Sequence, residues 1–201
     1  VSEREFAIVA RTMVDVFPQV TLWRGDFLPD HPIVALVGQE RGAVLDPETL
    51  AAGVRRIAGS ERMEARTAVA FTALTYAGNL SIDEEIFGGA PVNTDDRPIL
   101  EDLAPRTHRA ALAGRAAWFT LGELDAFYAR MFARVPPEDD PYLDRLDSEQ
   151  IGYVRAGEAL HRAFTWQHLG RGETAPLVDR FREMVPRDVY AAFRDRIALL
   201  P

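Results

Sequence analysis

The sequence predicts a short α/β part followed by a mainly α-helical remainder. Three observations carry this expectation. A capped amphipathic stretch opens the chain, and two short apolar runs follow it at residues 20–23 and 33–37. From residue 46 onward apolar side chains recur at three- and four-residue steps, the period of one helix face. No repeat of fixed period is present.

Ser2 and Glu5 have the spacing of a capping box, and Phe6, Val9, Met13 and Val16 continue as one apolar stripe, so a helix is expected over 3–17. Val20-Thr21-Leu22-Trp23 is rich in β-branched and aromatic residues and reads as a strand. Gly25 to Pro32 is a turn-rich connection. Ile33 to Val37 is a continuous apolar run, too short for a helix, and is expected to be a strand buried on both faces in the middle of a sheet. Asp46 as cap and Pro47 at the first helical position open a helix that Gly59 ends. A helix over 60–77 with Gly78-Asn79 as its stop is expected next, then a short one from Ser81 and Glu84 closed by Gly88-Gly89. Ala90 to Arg106, with Pro91, Pro98 and Pro105, reads as irregular. Beyond it, Thr120 with Glu123 and Asp147 with Gln150 are further capping boxes, the second opening a helix to Leu169. Pro136 to Pro141 reads as a rigid acidic linker, and helices near 174–184 and 187–199 close the chain. The organisation expected is 1–45, a sheet part; 46–106, helices plus an acidic loop; and 107–201, a helical domain.

Composition narrows the function. The chain has 201 residues and a net charge of −8, with 31 acidic side chains against 23 basic ones, all of them arginine. That balance disfavours a nucleic-acid binder, which needs a basic patch. Without cysteine there is no disulfide framework, zinc–thiolate site or thiol nucleophile. No apolar run of about 18 residues suggests a membrane span. The charged start, Val1-Ser2-Glu3-Arg4-Glu5, does not read as a signal peptide, so a cytoplasmic location is expected.

Two polar groupings are candidates for chemistry. Asn93, Thr94, Asp95, Asp96 and Arg97, with Glu101, Asp102 and Arg106 behind them, place several carboxylates close enough to hold a cationic substrate or a divalent ion. The competing reading is a loop whose side chains bond their own backbone. Glu158 and His161 are spaced Glu-x-x-His on the longest expected helix, with His168 on the same face. Bundles that hold two metal ions need a second such motif, which is missing, so a surface or capping histidine is the plainer account. His31 and His108 fall in expected loops. Trp118, Trp166 and the other aromatics at helical spacing are read as core, and Tyr142 as the anchor of a linker. A dinucleotide-type glycine loop, a Walker loop and a nucleophile elbow are all absent.

Two segments carry a family resemblance. Phe17-Pro18-Gln19-Val20-Thr21-Leu22-Trp23-Arg24-Gly25-Asp26, within residues 5–27, and Asn93-Thr94-Asp95-Asp96-Arg97-Pro98, with Ala104-Pro105-Arg106 behind, together resemble the C-terminal part of bacterial spermidine synthase-like proteins. These polyamine aminopropyltransferase relatives are often fused to an N-terminal membrane-embedded segment, through which a parent would be anchored. The resemblance covers residues 3–107 and extends more loosely into the helical tail. It implies a methyltransferase-like Rossmann sheet, of which residues 3–17 are the last covering helix and 20–24 and 33–37 the last two strands. It also implies that decarboxylated S-adenosylmethionine is the co-substrate of a parent and that a polyamine is the acceptor. The glycine loop, the ribose-binding acid and an Asp-Ser-x-Asp string are not in this chain, so no catalytic residue and no cofactor site are expected within it. Asn93, Asp95, Asp96 and Glu101 are the residues expected to meet the cationic amine. The rest of a parent chain and a second copy in a homodimer are the expected partners. The alternative is a non-catalytic helical interaction or oligomerisation module.

Overall fold

The computed structural model describes residues 1–25, 33–59, 63–87, 89–115 and 120–198. The expectations for the Gly25–Pro32 connection, His31, Ser60, Gly88 and Trp118 fall wholly or partly outside them. In the described residues eight α-helices surround one small sheet. The order is α1 (Glu3–Val16), β1 (Gln19–Arg24), β2 (Val34–Gln39), α2 (Pro47–Ala58), α3 (Ala65–Ala73) and β3 (Tyr76–Asn79). A 3-10 turn at Glu84–Phe87 leads to α4 (Ile99–Leu112) and α5 (Leu121–Arg134). Two more 3-10 turns precede α6 (Ser148–His168), α7 (Ala175–Met184) and α8 (Arg187–Ile197).

The helix ends follow the expected chemistry. Ser2, Thr120 and Asp147 each cap their helix and receive the reciprocal bond from Glu5, Glu123 and Gln150. Asp46 accepts from the Thr49 amide, and Gly59 ends α2 in the left-handed conformation that a side chain disfavours. Two helix expectations are overturned here. Ser81 does not cap a helix; its hydroxyl accepts from the Val20 amide at 2.7 Å, tying the turn after β3 to β1. Residues 99–106 are not irregular but belong to α4, which runs through Pro105 and carries His108. Ile99, Leu103 and Thr107 fall one turn apart on the partly buried side of α4, which packs on α1. That packing outweighs the hydrogen bond lost at the proline. The boundary drawn at 106/107 therefore lies inside a helix.

The sheet has the order β2-β1-β3, and both pairings are antiparallel. Here the expectation for residues 33–37 is overturned. The buried central strand is β1, and β2 lies at the edge with alternating half-buried and exposed residues. Ile33 is 57% exposed and Val37 40%. The strand displacing β2 from the centre is β3, formed where a helix and its stop were expected. It is four residues long and bulged at Ala77, with Gly78 at φ 136°, a conformation that favours glycine.

The ladder fixes which backbone groups point outward. Gly25 N–H donates to Ile33 O at 2.7 Å, so this register pair is hydrogen-bonded. Bonded and unbonded pairs alternate in an antiparallel ladder. Ala35, Val37 and Gln39 therefore bond β1, and the N–H and C=O groups of Val34, Leu36 and Gly38 face the free edge. No strand among the described residues pairs with that edge. α1 packs on β2.

Two cores lie on either side of the sheet. Val20 and Leu22 of β1 pack with Phe6, Ala77, Phe127 and Met131 beneath α1 and α5. The second core joins α3, α6, α7 and α8 through Leu74, Tyr153, Leu160 and Phe181.

Candidate functional site

Residues 93–102 form a turn and a helix start. Thr94 and Arg97 exchange backbone bonds, with Arg97 N to Thr94 O at 3.0 Å, and Asp95 and Asp96 sit at the exposed tip. Asn93 has a different position from its neighbours. Its N–H donates to Thr12 Oγ1 of α1 at 2.9 Å, and its Oδ1 accepts from the Leu100 amide at 2.8 Å. It thus ties the turn to α1 and satisfies a donor in the first turn of α4. Glu101 and Asp102 are exposed in that same first turn, where carboxylates complement the helix dipole. The turn thus groups Asp95 and Asp96 at its tip, while Asn93 faces inward. Replacing both aspartates by asparagine is expected to move the melting temperature by less than about 2 °C. Asn93→Ala is expected to cost about 1 kcal/mol. Thermal unfolding of the two variants separates exposed carboxylates from the half-buried side-chain bond that Asn93 makes to the Leu100 amide.

The Glu158–His161 pair lies elsewhere, in a buried polar cluster that the sequence reading missed. At its centre is Arg24, 4% exposed, at the end of β1. One terminal nitrogen, Nη2, donates to Leu74 O at 3.1 Å and to Tyr76 O at 2.5 Å, locking the α3–β3 turn onto β1. Its guanidinium carbon lies 5.5 Å from the Tyr128 ring centre and 5.8 Å from that of Phe132. Among the described residues, Nε and Nη1 of Arg24 and the hydroxyl of Tyr128 have no hydrogen-bond partner. Burial lowers the Arg24 pKa to about 10, so the group stays charged at neutral pH.

His161 is not on the surface, as expected from sequence, but 9% exposed and edge-on to Tyr128 at 5.0 Å. Burial, and then the charges of Arg24 and Arg162, depress its pKa to about 3. It is uncharged near neutrality and too weak a base to accept a proton there. Glu158 bonds Arg162 at 3.1 Å and lies 3.7 Å from Arg155. Arg155 continues to Glu138 at 2.6 Å, and Arg162 to Asp125 at 3.6 Å. The carboxylate beside His161 is thus neutralised by arginines. Among the described residues no group of three or more His, Asp or Glu side chains converges to hold a metal. What the cluster provides is a buried positive charge joining β1, α5 and α6.

This burial gives a pH dependence with a defined sign. The unfolded chain protonates His161 near pH 6.5 and the folded one only near 3, so acidification through that window removes stability. Burial moves the Asp140 carboxyl the other way, upward from its ordinary value. Its contribution is present at low pH and is lost as pH rises through the raised value. It therefore offsets part of the acid loss. Urea unfolding at pH 7 and pH 4.5 is expected to show a smaller loss for His161→Phe than for the natural chain.

Asp140 marks a second buried polar group. Its carboxylate accepts from the Tyr76 hydroxyl, from Asn79 Nδ2 at 3.2 Å and from the Tyr142 amide at 3.0 Å. Tyr142 stacks on Tyr76 at 5.7 Å and meets the edge of Trp23 at 6.2 Å. The linker at 136–141 is thereby pinned to β1 and β3, and Tyr142 is its anchor.

Compared with known proteins, the chain matches no family model, no curated protein and no solved structure. No helix among the described residues is long and apolar enough to cross a membrane.

Proposed function

We propose that this chain is the C-terminal region of a spermidine synthase-like protein, in which it completes and covers a sheet and does not itself carry out transfer. The observation that carries the reading is the free edge of β2. Val34 to Gln39 contains no charged residue, and the outward backbone groups of Val34, Leu36 and Gly38 have no strand beside them. Ile33, Ala35 and Val37 present an exposed apolar stripe on one face of the same strand. Proteins protect such an edge by pairing, covering or charging it. A preceding strand and its helix would pair and cover it, which is what the resemblance implies for the last strands of a methyltransferase-like sheet. The helix-then-hairpin order α1-β1-β2 agrees with that placement.

In such a parent an aspartate outside this chain deprotonates an amine. The amine then attacks the carbon next to the sulfonium of decarboxylated S-adenosylmethionine, and a thioether leaves. Asp95, Asp96 and Glu101 are the carboxylates of this chain available to the distant, cationic end of the polyamine. Asn93 contributes by fixing the turn that carries them. The test is in two parts. Calorimetry with the thioether product is expected to show no saturable binding to this chain and one site on a protein that also contains the preceding sheet. Transfer by that longer protein is expected to show a raised KM for the amine, at unchanged kcat, when Asp95 and Asp96 are replaced by asparagine. A saturable site on the present chain would overturn the reading.

The same free edge favours a second reading, a non-catalytic module whose copies pair along β2 in a homodimer. A solution mass that doubles with concentration, and stays single in Val37→Lys, would support it.

A further inference from the structure

We propose that the cleft between α1, the Glu84–Phe87 turn and α5 is a binding site for a small aromatic carboxylate. The cleft has a volume of about 490 Å³, within the usual range of small-molecule sites. Its floor is apolar: Phe6, Phe87 and Phe127 are each at least 95% buried and leave their exposed edges to the cavity. Phe6 and Phe127 meet edge to face at 5.4 Å and 86°, which fixes the floor. The charged lining residues are Glu3, Arg4 and Arg130, two guanidiniums against one carboxylate. Arg130 lies 5.6 Å from the Phe127 ring centre and 3.5 Å from Glu3, so its cation is held directly over the aromatic floor.

The walls are preformed. Arg134 of α5 binds both Asp83 and Glu85, the latter at 2.8 Å, and so clamps the 3-10 turn to α5. Gly89 lies at the rim with open space where a side chain would project. A flat ring fits against the phenylalanine edges, and its carboxylate reaches the guanidiniums. In a chain of net charge −8, the two lining guanidiniums select anions locally and not through the overall field. The site uses neither β2 nor the acidic turn, so it stands or falls separately from the sheet-completing reading.

The experiment is a heteronuclear NMR titration of the full chain with 2-naphthoate, and with 2-naphthylmethylammonium as the charge-reversed control. Saturable shifts at Ala7, Ala90, Phe127 and Arg130 are expected, with a dissociation constant on the order of 1 mM or tighter. The ammonium is expected to bind at least about fivefold more weakly. Arg4 is exposed, so Arg4→Glu leaves the fold intact and is expected to erase that preference. No saturation up to about 20 mM, equal binding of both charge signs, or shifts centred outside the cleft would overturn the proposal.

Discussion

Gly157→Ala is expected to cost about 3 kcal/mol or more and to lower the melting temperature by about 10 °C. A Cβ at this position of α6 would stand 2.1 Å from Leu74 O, 2.7 Å from the Leu74 carbonyl carbon and 2.8 Å from Arg24 Nη2. None of these is the loose end of a flexible side chain. The Leu74 carbonyl accepts from Arg24, and Arg24 is enclosed by Tyr128 and Phe132, so relief requires α6 to move away from the α3–β3 turn. The same helix supplies the control. At Gly152 the nearest atom to an added Cβ is Met184 Cε at 3.9 Å, and Gly152→Ala is expected to stabilise by about 0.5–1 kcal/mol through helix propensity. Opposite signs in two Gly→Ala changes five residues apart would locate the effect in the close approach. Equal small effects would show that α6 does not press on this turn as described.

Arg24 is expected to separate charge from packing. Arg24→Ala leaves a cavity between two aromatic rings and removes the donor to the Leu74 and Tyr76 carbonyls. The expected loss is about 3–5 kcal/mol. Arg24→Met keeps most of the stem volume and removes a buried charge that has no ion-pair partner among the described residues. Like alanine it removes the donor to the Leu74 and Tyr76 carbonyls, but it opens less of a cavity, so its cost is expected to be about 1–3 kcal/mol, below that of the alanine variant. Arg24 is also the second cause of the depressed His161 pKa, after burial, so Arg24→Met is expected to raise that pKa. Denaturant unfolding and an NMR titration of His161 measure the two effects. A methionine variant as unstable as the alanine one would mean that the cation itself holds the junction together.

The capped helices were legible because a cap is a local bond between neighbours in sequence: Ser2–Glu5, Thr120–Glu123 and Asp147–Gln150 need no knowledge of the tertiary structure. β1 was legible from its β-branched and aromatic content. β3 was not, because Tyr76 to Asn79 is a four-residue, bulged strand directly after an alanine-rich helix, and only its pairing with β1 makes it extended. Missing it reversed the roles of β1 and β2. The run at 33–37 is apolar throughout, yet nothing in it says how many strands stand beside it. Arg24 could have been placed by strand parity, since it falls on the same face as Val20 and Leu22, both fully buried. A charged side chain at a strand end reads as exposed, and that prior obscured the signal. Asp140 was hidden in a run of acids, and its burial depends on Tyr76 and Asn79, more than 60 residues away. The turn at 93–97 was read only as part of an irregular stretch reaching Arg106, and the tie from Asn93 to Thr12 is a long-range contact that left no mark on the sequence.

The outer edge of β2 is proposed as a seam for a larger sheet. Amide hydrogen exchange along β2 tests it most directly, because the strand carries its own reference. In the dilute, monomeric chain, the amides of Ala35, Val37 and Gln39, which face β1, are expected to be protected. Those of Val34, Leu36 and Gly38 are expected to exchange as open groups. In a longer protein that includes the preceding sheet, both sets are expected to be protected. Protection of Val34, Leu36 and Gly38 in the monomeric chain, or their continued openness in the longer protein, would contradict the account.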